Sequence, residues 1–401
     1  MEYRRFGKTE KMLSVITLGG MRFKHGWEEP RREIPAATLD QCREMVQLAF
    51  DAGINHIETA WGYKKSETAY GKVLNEELKI PRNSYHLMTK GHVFTASEMR
   101  KTVENQLKDL QTDYFDFYGW HGINNDELFQ LSCKTGGAVE ELLKMKEEGI
   151  IKHVGFSTHA PLHTIIKAIE TGLFDFVNLH YYYFNQRNAG AVATAQKHDM
   201  GVFIISPNDK GGQLFKAPDK VRNAIKPLTP IQWNARFCLQ NEAIHTLTFG
   251  LTEASQFAEM KEIFPTLWTD QEQKTKLKLD GFLNDDPFSG YDGFDLENDP
   301  SGINIPEILR LRKLWKCYDM IEFGKYRYKT FEDKNHWLPG EQAFDENIDK
   351  IGLSKVPSNI PLKKMLAEAH NEFYVPKPNW NISNFVKSKV DSIKYRIKSK
   401  N

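Results

Sequence analysis

The stretch LDQCREMVQLAFDAGINHIETA, residues 39–60, contains one helix-to-strand unit. Its apolar residues recur at spacings of 3, 1 and 3, which suits one face of a helix: Met45, Leu48, Ala49 and Ala52. Gly53 follows at the point where such a helix would end. The run His56–Ala60 then predicts a short β-strand, so the stretch indicates a chain that alternates helices with strands.

The same alternation extends from Val15 to about Pro265. Further amphipathic stretches are Ser97–Leu110 and Ala138–Glu148. Eight runs predict strands: Val15–Gly19, His56–Ala60, Tyr85–Lys90, Tyr114–His121, His153–Thr158, Phe176–Tyr181, Gly201–Ser206 and His245–Gly250. Eight strand–helix units with right-handed crossovers close into a parallel barrel. A doubly wound sheet would carry a GxGxxG fingerprint after its first strand, and the sequence contains none. We therefore predict an α/β fold, a TIM (β/α)8 barrel.

The overall composition limits the class of protein. The 401 residues include 54 Lys and Arg against 53 Asp and Glu, a balance that gives no reason to expect nucleic acid as a partner. No run of 18 apolar residues predicts a membrane-spanning helix, and we expect no secretory signal. The four cysteines are scattered, which indicates neither a disulfide framework nor a metal cluster: Cys42, Cys133, Cys238 and Cys317. We expect a cytoplasmic protein.

Functional side chains of a TIM barrel gather at the C-terminal ends of its strands. Those ends supply Glu58, Tyr63, Lys90 and His121. A tyrosine is a weak acid with a free pKa of about 10, and a nearby ammonium would lower that pKa. A carboxylate would hold the lysine in place, and a histidine would share the substrate oxygen. Together these groups predict protonation of a developing alkoxide while hydride arrives from a cofactor.

Each of these side chains also has a simpler explanation. A tyrosine after a strand is more often a packing residue, a lysine that ends a strand is usually solvated, and a histidine preceded by Trp120 could be an ordinary core residue. The combination carries the prediction, because four compatible groups fall at the ends of three successive strands.

The motifs around these residues resemble the aldo/keto reductase family. HIETAWGYKKSETAYGK, residues 56–72, is similar to the family signature, in which an aspartate precedes the catalytic tyrosine by five positions. Glu58 stands in the aspartate position and Tyr63 in the tyrosine position. HLMTK and DFYGWHGIN are similar to the segments that supply the family's lysine, here Lys90, and histidine, here His121. Glu58 adds one methylene to the residue that should position Lys90.

The resemblance implies a nicotinamide cofactor, NADP by the family default, with NAD as the alternative. It carries over these cofactor contacts: Gly20, Met21, Ser157, Thr158, Asn178, Ser206, Lys210, Gly250, Thr252 and Gln256. Thr158 and Asn178 stand where the family has asparagine and glutamine. Gln256 stands where a basic residue often grips the 2′-phosphate, so the preference for NADP comes from the family and not from the residues.

The sequence after Pro265 changes character. Asp285–Pro300 predicts an acidic loop, whereas Ile303–Tyr318 and Leu362–Phe373 predict helices. PSGINIPEILRLRKLW resembles the end of a ferredoxin-like segment that is fused to some aldo/keto reductase relatives. The four cluster-ligand positions lack the thiolates that iron–sulfur clusters need: Ser289, Asp292, Asp295 and Asp299. We predict no metal site; a hard divalent ion on these carboxylates is less favoured than a solvated loop.

We divide the chain into a barrel at residues 1–265, a helical extension at 266–375 and a basic tail at 376–401. Apolar residues of the tail recur at spacings of 4, 4, 3 and 4, with lysines between them: Ile382, Val386, Val390, Ile393 and Ile397. This pattern predicts a basic amphipathic helix. Docking on the protein itself or on a partner is favoured over contact with an anionic membrane surface.

The sequence thus predicts an oxidoreductase that reduces aldehydes or ketones with NAD(P)H, with Tyr63 as the general acid. Two alternatives stay open. One is a regulatory module that binds the cofactor and turns over slowly. The departure of Glu58 from the family's aspartate would favour this alternative. The other is a structural barrel that binds no cofactor. Neither the carbonyl substrate nor the oligomeric state follows from the sequence.

Overall fold

The computed structural model describes residues 1–24, 30–209, 212–297, 299–328 and 342–375. The chain begins with an antiparallel hairpin, β1 (Tyr3–Arg5) and β2 (Met12–Ser14). Eight parallel strands then close into a barrel: β3 (Ile16–Gly19), β4 (His56–Glu58), β5 (His86–Gly91), β6 (Phe115–His121), β7 (Ile151–Ser157), β8 (Phe176–Leu179), β9 (Gly201–Ile204) and β10 (Thr246–Phe249). The ring closes because β10 pairs with both β9 and β3. The predicted TIM barrel and its eight strands are confirmed.

Helices cover the outside of the barrel. They are α1 (Ala36–Asp51), α2 (Ser66–Lys72), α3 (Ala96–Leu110), α4 (Asp126–Cys133), α5 (Ala138–Glu147), α6 (Leu162–Glu170), α7 (Ala189–Lys197), α8 (Asp219–Ile225), α9 (Pro230–Leu239) and α10 (Ala254–Lys261). Local signals fix their ends. Thr95 caps α3 in a reciprocal capping box with Glu98, and Gly149, with φ of +80°, follows α5 where the chain turns into β7. The three predicted helical stretches, within residues 39–52, 97–110 and 138–148, are confirmed.

The hairpin closes the N-terminal end of the barrel. Phe6, between β1 and β2, is fully buried, and its ring centroid lies 5.2 Å from that of Phe117 and 5.9 Å from that of Phe176. Gly201, at the start of β9, admits this ring, because a Cβ there would lie 2.6 Å from Phe6. Phe6, Phe117 and Phe176 belong to an apolar cluster separate from the main core. Side chains therefore fill this end of the barrel, and the opposite end is left for chemistry.

Within the described residues, five helices follow the barrel: α11 (Asp270–Gly281), α12 (Ile305–Tyr318), α13 (Ile321–Tyr328), α14 (Asp345–Ile348) and α15 (Leu362–Phe373). Trp315 of α12 packs edge-on against Phe373 of α15, with ring centroids 5.7 Å apart. Arg312 of α12 pairs with Asp286 and, at 3.1 Å, with Glu368. One continuous set of buried apolar residues runs from the barrel helices into this extension. The helices predicted at 303–318 and 362–373 are confirmed.

The acidic segment before α12 contains two short 3₁₀ turns, Phe282–Asp285 and Phe294–Leu296. Among the described residues, no group of three or more His, Cys, Asp and Glu side chains is arranged to hold a metal ion. None of the helices among the described residues is long and apolar enough to cross a membrane. The predicted amphipathic tail, residues 376–401, lies outside the described residues.

Replacing Phe6 with alanine should leave the N-terminal end of the barrel poorly packed. We expect the free energy of unfolding to fall by about 3–5 kcal/mol, the usual cost of deleting a buried aromatic ring. Chemical denaturation of the parent, of Phe6→Ala and of Met12→Ala, whose side chain is half exposed, measures the effect. A loss for Phe6→Ala no larger than that for Met12→Ala would show that the hairpin does not stabilise the barrel.

Candidate functional site

A cavity of about 890 Å³ lies at the C-terminal end of the barrel strands. The four predicted catalytic side chains all line it: Glu58, Tyr63, Lys90 and His121. Glu58 ends β4, Lys90 lies in β5 and His121 ends β6. Tyr63 is placed by a short 3₁₀ turn, Trp61–Tyr63, that follows β4. The structure therefore brings together the four groups that the sequence places at strand ends.

Lys90 and Glu58 form an ion pair in the barrel wall. Both side chains are almost fully buried, and Lys90 Nζ also donates a hydrogen bond of 2.9 Å to the carbonyl oxygen of Thr59. Burial lowers the pKa of Lys90 well below its usual value, because the ammonium loses its hydration. The Glu58 carboxylate is the opposite charge that a buried ammonium requires.

The longer side chain of Glu58 fits because of a glycine on the neighbouring strand. Gly19 ends β3 and is paired with Glu58 of β4. A Cβ at Gly19 would lie 3.3 Å from Glu58 Oε2 and 2.7 Å from Thr248 Cγ2. Any side chain at position 19 would crowd the carboxylate, so the space that Glu58 occupies depends on Gly19.

Tyr63 lies against both Lys90 and His121. Lys90 Nζ is 5.1 Å from the centroid of the Tyr63 ring, and the His121 ring stands edge-on to it with centroids 5.8 Å apart. Burial raises the pKa of Tyr63 above its usual value, and Arg22 opposes the rise. The net change is thus a rise and not the predicted lowering, because lost hydration outweighs nearby positive charge. Tyr63 carries its proton at neutral pH.

Arg31 fixes the turn that carries Tyr63. Its guanidinium lies 3.6 Å from the ring centroid of Trp61 and donates to the carbonyl oxygens of Trp61 and Lys64, the latter at 2.8 Å. Lys64 has φ of +58°, which is rare for a residue with a side chain and costs free energy. Arg31 therefore stabilises a strained turn, and with it the position of Tyr63.

A buried carboxylate, Glu67 of α2, joins Arg31 to the strand that carries Lys90. Glu67 pairs with Arg31 at 3.0 Å and accepts hydrogen bonds of 2.6 Å from both Thr89 and Gln106. Gln106 also donates to the carbonyl oxygen of Lys90 at 3.1 Å. The sequence does not indicate these roles for Arg31 and Glu67, because an acidic residue in the first turn of a helix ordinarily faces solvent.

The predicted cofactor contacts fall into three groups. Six line the cavity: Met21, Ser157, Ser206, Gly250, Thr252 and Gln256. Three are buried and do not line it: Gly20, Thr158 and Asn178. Lys210 lies outside the described residues.

Local contacts explain why those three residues stand back from the cavity. A Cβ on Gly20 would lie 2.2 Å from Ser66 Oγ, so this backbone packs closely on α2. The Thr158 hydroxyl donates a hydrogen bond of 2.5 Å to the carbonyl oxygen of Ile123. Asn178 is fully buried in β8, and its Oδ1 has no hydrogen-bond partner within the described chain.

The sequence does not single out five further residues of the cavity wall: Arg22, Trp61, His92, His159 and Phe215. Arg22 packs over Gly250, where a Cβ would lie 2.7 Å from Arg22 Cγ. Glycine at position 250 therefore makes room for this guanidinium side chain. The one available signal for Arg22 is its place directly after Gly20 and Met21, two of the predicted contacts.

Known proteins resemble this chain in sequence and share its fold. The family model described as the aldo/keto reductase family matches residues 15–272. L-galactose dehydrogenase from Arabidopsis thaliana is 28% identical over 288 residues, which cover 65% of this chain and 86% of that protein. The holo form of an aldo-keto reductase from Bacillus halodurans has a TM-score of 0.57 at 20% identity, covering 69% of this chain and 96% of that one. An aldo/keto reductase from Klebsiella pneumoniae, solved with NADP and acetate, has a TM-score of 0.55 at 20% identity, covering 69% and 95%.

Glu67 predicts a stability that depends on pH. Burial raises the pKa of Glu67 to about 7 from an ordinary value of 4.5, and the hydrogen bonds from Thr89 and the charge of Arg31 only partly oppose this. The native state therefore binds this proton more tightly than the unfolded state, so the free energy of unfolding falls as pH rises from about 4.5 to about 7. Glu67→Gln removes the titration. Relative to the parent it should gain up to about 3 kcal/mol between these two pH values.

Denaturant unfolding of both proteins at pH 4.5 and pH 8, roughly the limits of this titration, measures the difference. Glu104→Gln removes an exposed carboxylate of α3 and should follow the parent at both pH values. Parallel curves for the parent and for Glu67→Gln would contradict the raised pKa.

Proposed function

The chain belongs to the aldo/keto reductase family and is an oxidoreductase that uses a nicotinamide cofactor, and from that premise we propose that it reduces an aldehyde or ketone with Tyr63 as the general acid. One observation carries the proposal: Tyr63, His121 and the ion-paired Lys90 meet at one cavity at the C-terminal end of the barrel. A proton donor, a cation and a second polar ring at one place suit the protonation of a carbonyl oxygen.

The cavity fits a nicotinamide dinucleotide. Its volume of about 890 Å³ lies at the large end of the range for small-molecule sites. Ser157, Ser206 and Thr252 supply polar groups to its wall, and Asn178, which does not line it, has a buried acceptor, Oδ1, without a partner in the described chain. We propose NADP as the cofactor. The residues proposed to hold it are Gly20, Met21, Ser157, Thr158, Asn178, Ser206, Lys210, Gly250, Thr252 and Gln256. When bound, the reduced nicotinamide supplies hydride to the carbonyl carbon.

Position 256 bears on the choice between NADP and NAD. Gln256 Oε1 accepts a hydrogen bond of 2.8 Å from the backbone N–H of Thr252, so its amide is oriented at the cavity wall. A neutral amide recognises a 2′-phosphate through hydrogen bonds and not through charge. The support for NADP therefore comes from the family and not from Gln256. A direct comparison of NADPH with NADH tests NAD as the alternative.

The residues of this chain supply the proton. Because burial raises the pKa of Tyr63, the phenol is protonated at neutral pH, as a general acid must be before the reaction. As negative charge develops on the substrate oxygen, Tyr63 donates its proton to that oxygen. Lys90 stabilises the phenolate that forms, Glu58 holds Lys90 in position, and His121 contacts the same substrate oxygen.

The cavity wall favours a polar carbonyl substrate. Trp61 and Phe215 supply aromatic rings, and His92, His121 and His159 supply nitrogens that can hydrogen-bond. We propose a hydroxylated carbonyl compound over a purely apolar one. A relative that bears the name of a sugar dehydrogenase supports this class.

The finer divisions of the chain are also proposals. We propose a barrel at residues 1–265, a degenerate ferredoxin-like extension at 266–375 and a docking tail at 376–401. The positions of the lost cluster ligands would be Ser289, Asp292, Asp295 and Asp299, just before α12. We propose a reducing cytoplasm as the setting, supported by four cysteines that are all free.

Tyr63→Phe should abolish carbonyl reduction and leave the affinity for NADPH nearly unchanged. The hydroxyl acts only when charge develops on the substrate oxygen, so the loss appears in kcat. Assays use the best substrate from a panel of aldoses, simple aldehydes and ketones, each with NADPH and NADH. Tyr326→Phe, which alters an exposed tyrosine of α13, is the control. Turnover within about tenfold of the parent, a barrier change of only about 1.4 kcal/mol, would exclude Tyr63 as the acid.

Glu58→Gln should lower kcat, because it removes the charge that holds the Lys90 ammonium in place. Glu58→Asp should lower kcat too, since the shorter side chain draws the carboxylate away from Lys90 and leaves a gap beside Gly19. Misplacement of a catalytic group by about 1 Å can cost about a hundredfold. The Kd for NADPH and the melting temperature, measured on the same samples, control for folding. A higher kcat for Glu58→Asp would favour the slowly turning, cofactor-binding module over the reductase.

A further inference from the structure

The helical extension contacts a residue of the cavity wall. Arg310 of α12 lies 3.8 Å from Asp209, measured between Nη1 and Oδ2, and both side chains are buried. Asp209 belongs to the segment after β9 and lines the cavity together with Ser206. This contact joins the extension directly to the segment that is proposed to bind the cofactor.

Asp209 is held from two sides. Tyr182, just after β8, donates a hydrogen bond of 2.7 Å to Asp209 Oδ1, while Arg310 approaches Oδ2 and donates to the carbonyl oxygen of Phe184 at 3.0 Å. The backbone needs this support, because φ is +52° at Ser206 and +56° at Asp209. Side chains rarely occur at such angles, and the conformation persists only when the surroundings fix it.

Arg310 belongs to a cluster of five charged groups, all buried except the partly exposed Arg187: Arg187, Asp209, Glu307, Arg310 and Arg327. Glu307 accepts two hydrogen bonds from Arg310, at 2.9 and 2.7 Å. It also pairs with Arg327 at 3.1 Å and with Arg187 at 3.5 Å. Although burial opposes it, the arginines hold the pKa of Glu307 well below its ordinary value. The three guanidinium groups carry more positive charge than the Glu307 carboxylate can balance. The excess positive charge faces the second carboxylate of the cluster, Asp209.

We propose that Arg310 is a positioning residue for the cofactor: it neutralises Asp209 and fixes the segment after β9 in the conformation that admits the pyrophosphate. The proposal rests on the proposed function, in which Ser206 is a cofactor contact. The Asp209 carboxylate lies in the cavity wall, three residues from Ser206, and repels an anionic pyrophosphate, and the Arg310 guanidinium 3.8 Å away weakens that repulsion. The extension therefore supplies a positive charge beside a site that the barrel forms.

A second buried arginine of α12 provides a matched control. Arg312 pairs with Asp286 and Glu368, both within the extension, and neither of these partners lines the cavity. The side chains of Arg310 and Arg312 are equally buried, at 7% exposure each. Loss of either breaks a buried ion pair, so the pair of variants separates a general loss of stability from an effect on the cofactor.

Titration of the full chain with NADPH, followed by tryptophan fluorescence, tests the proposal. Arg310→Met should raise the Kd at least about tenfold, with kcat at saturating NADPH within about threefold of the parent. Arg312→Met should lower the melting temperature and leave the Kd within about twofold. In the double variant Asp209→Asn/Arg310→Met the repelling carboxylate is gone, so the Kd should return to within about threefold of the parent.

An unchanged Kd for Arg310→Met overturns the proposal, and so does a raised Kd that Asp209→Asn does not restore. If Arg310→Met fails to fold, Asp209→Asn alone decides: it should bind NADPH at least as tightly as the parent, and weaker binding overturns the repulsion argument. The parent is titrated first. Absence of NADPH binding there would overturn the proposed function itself, which distinguishes that failure from a failure of the role given to Arg310.

Discussion

A buried ammonium is stable only beside an opposite charge, and the ion pair of Lys90 with Glu58 meets that condition in the wall of the barrel. The rest of the site is arranged around this pair. Strands β4 and β5 are neighbours, so the two side chains meet without a long loop. Gly19 on the next strand leaves the room that the carboxylate needs, and Tyr63 reaches the lysine from a turn directly after β4.

A second buried carboxylate supports the first pair from outside the cavity. Glu67 connects the guanidinium of Arg31 with Thr89, the residue before Lys90. Arg31 in turn holds the turn that carries Tyr63. Tyr63 and Lys90 are thus fixed relative to each other by hydrogen bonds and ion pairs, which is the kind of support that a catalytic geometry requires.

The sequence predicts the barrel and its four site residues because both follow from local pattern. Alternating strands and helices fix the topology, and strand ends fix where Glu58, Lys90 and His121 can lie. Contacts between distant segments are not predictable in this way. Phe6 looks like an ordinary loop residue until the hairpin folds under the barrel, and the pKa of Tyr63 rises through burial, which a list of neighbouring charges does not reveal. Whether the ten predicted cofactor contacts act as such stays a prediction.

The contact between Asp209 and Arg310 has a consequence for how such a chain can be inherited. The matched family region ends at residue 272, which suggests a barrel with an exchangeable appendage. Yet the carboxylate lies in the barrel and its guanidinium partner lies in the appendage. A recombination event that replaced the extension with an unrelated segment would remove the guanidinium that lies 3.8 Å from Asp209. If Arg310 positions the segment after β9 as proposed, selection on cofactor binding would keep the two parts together.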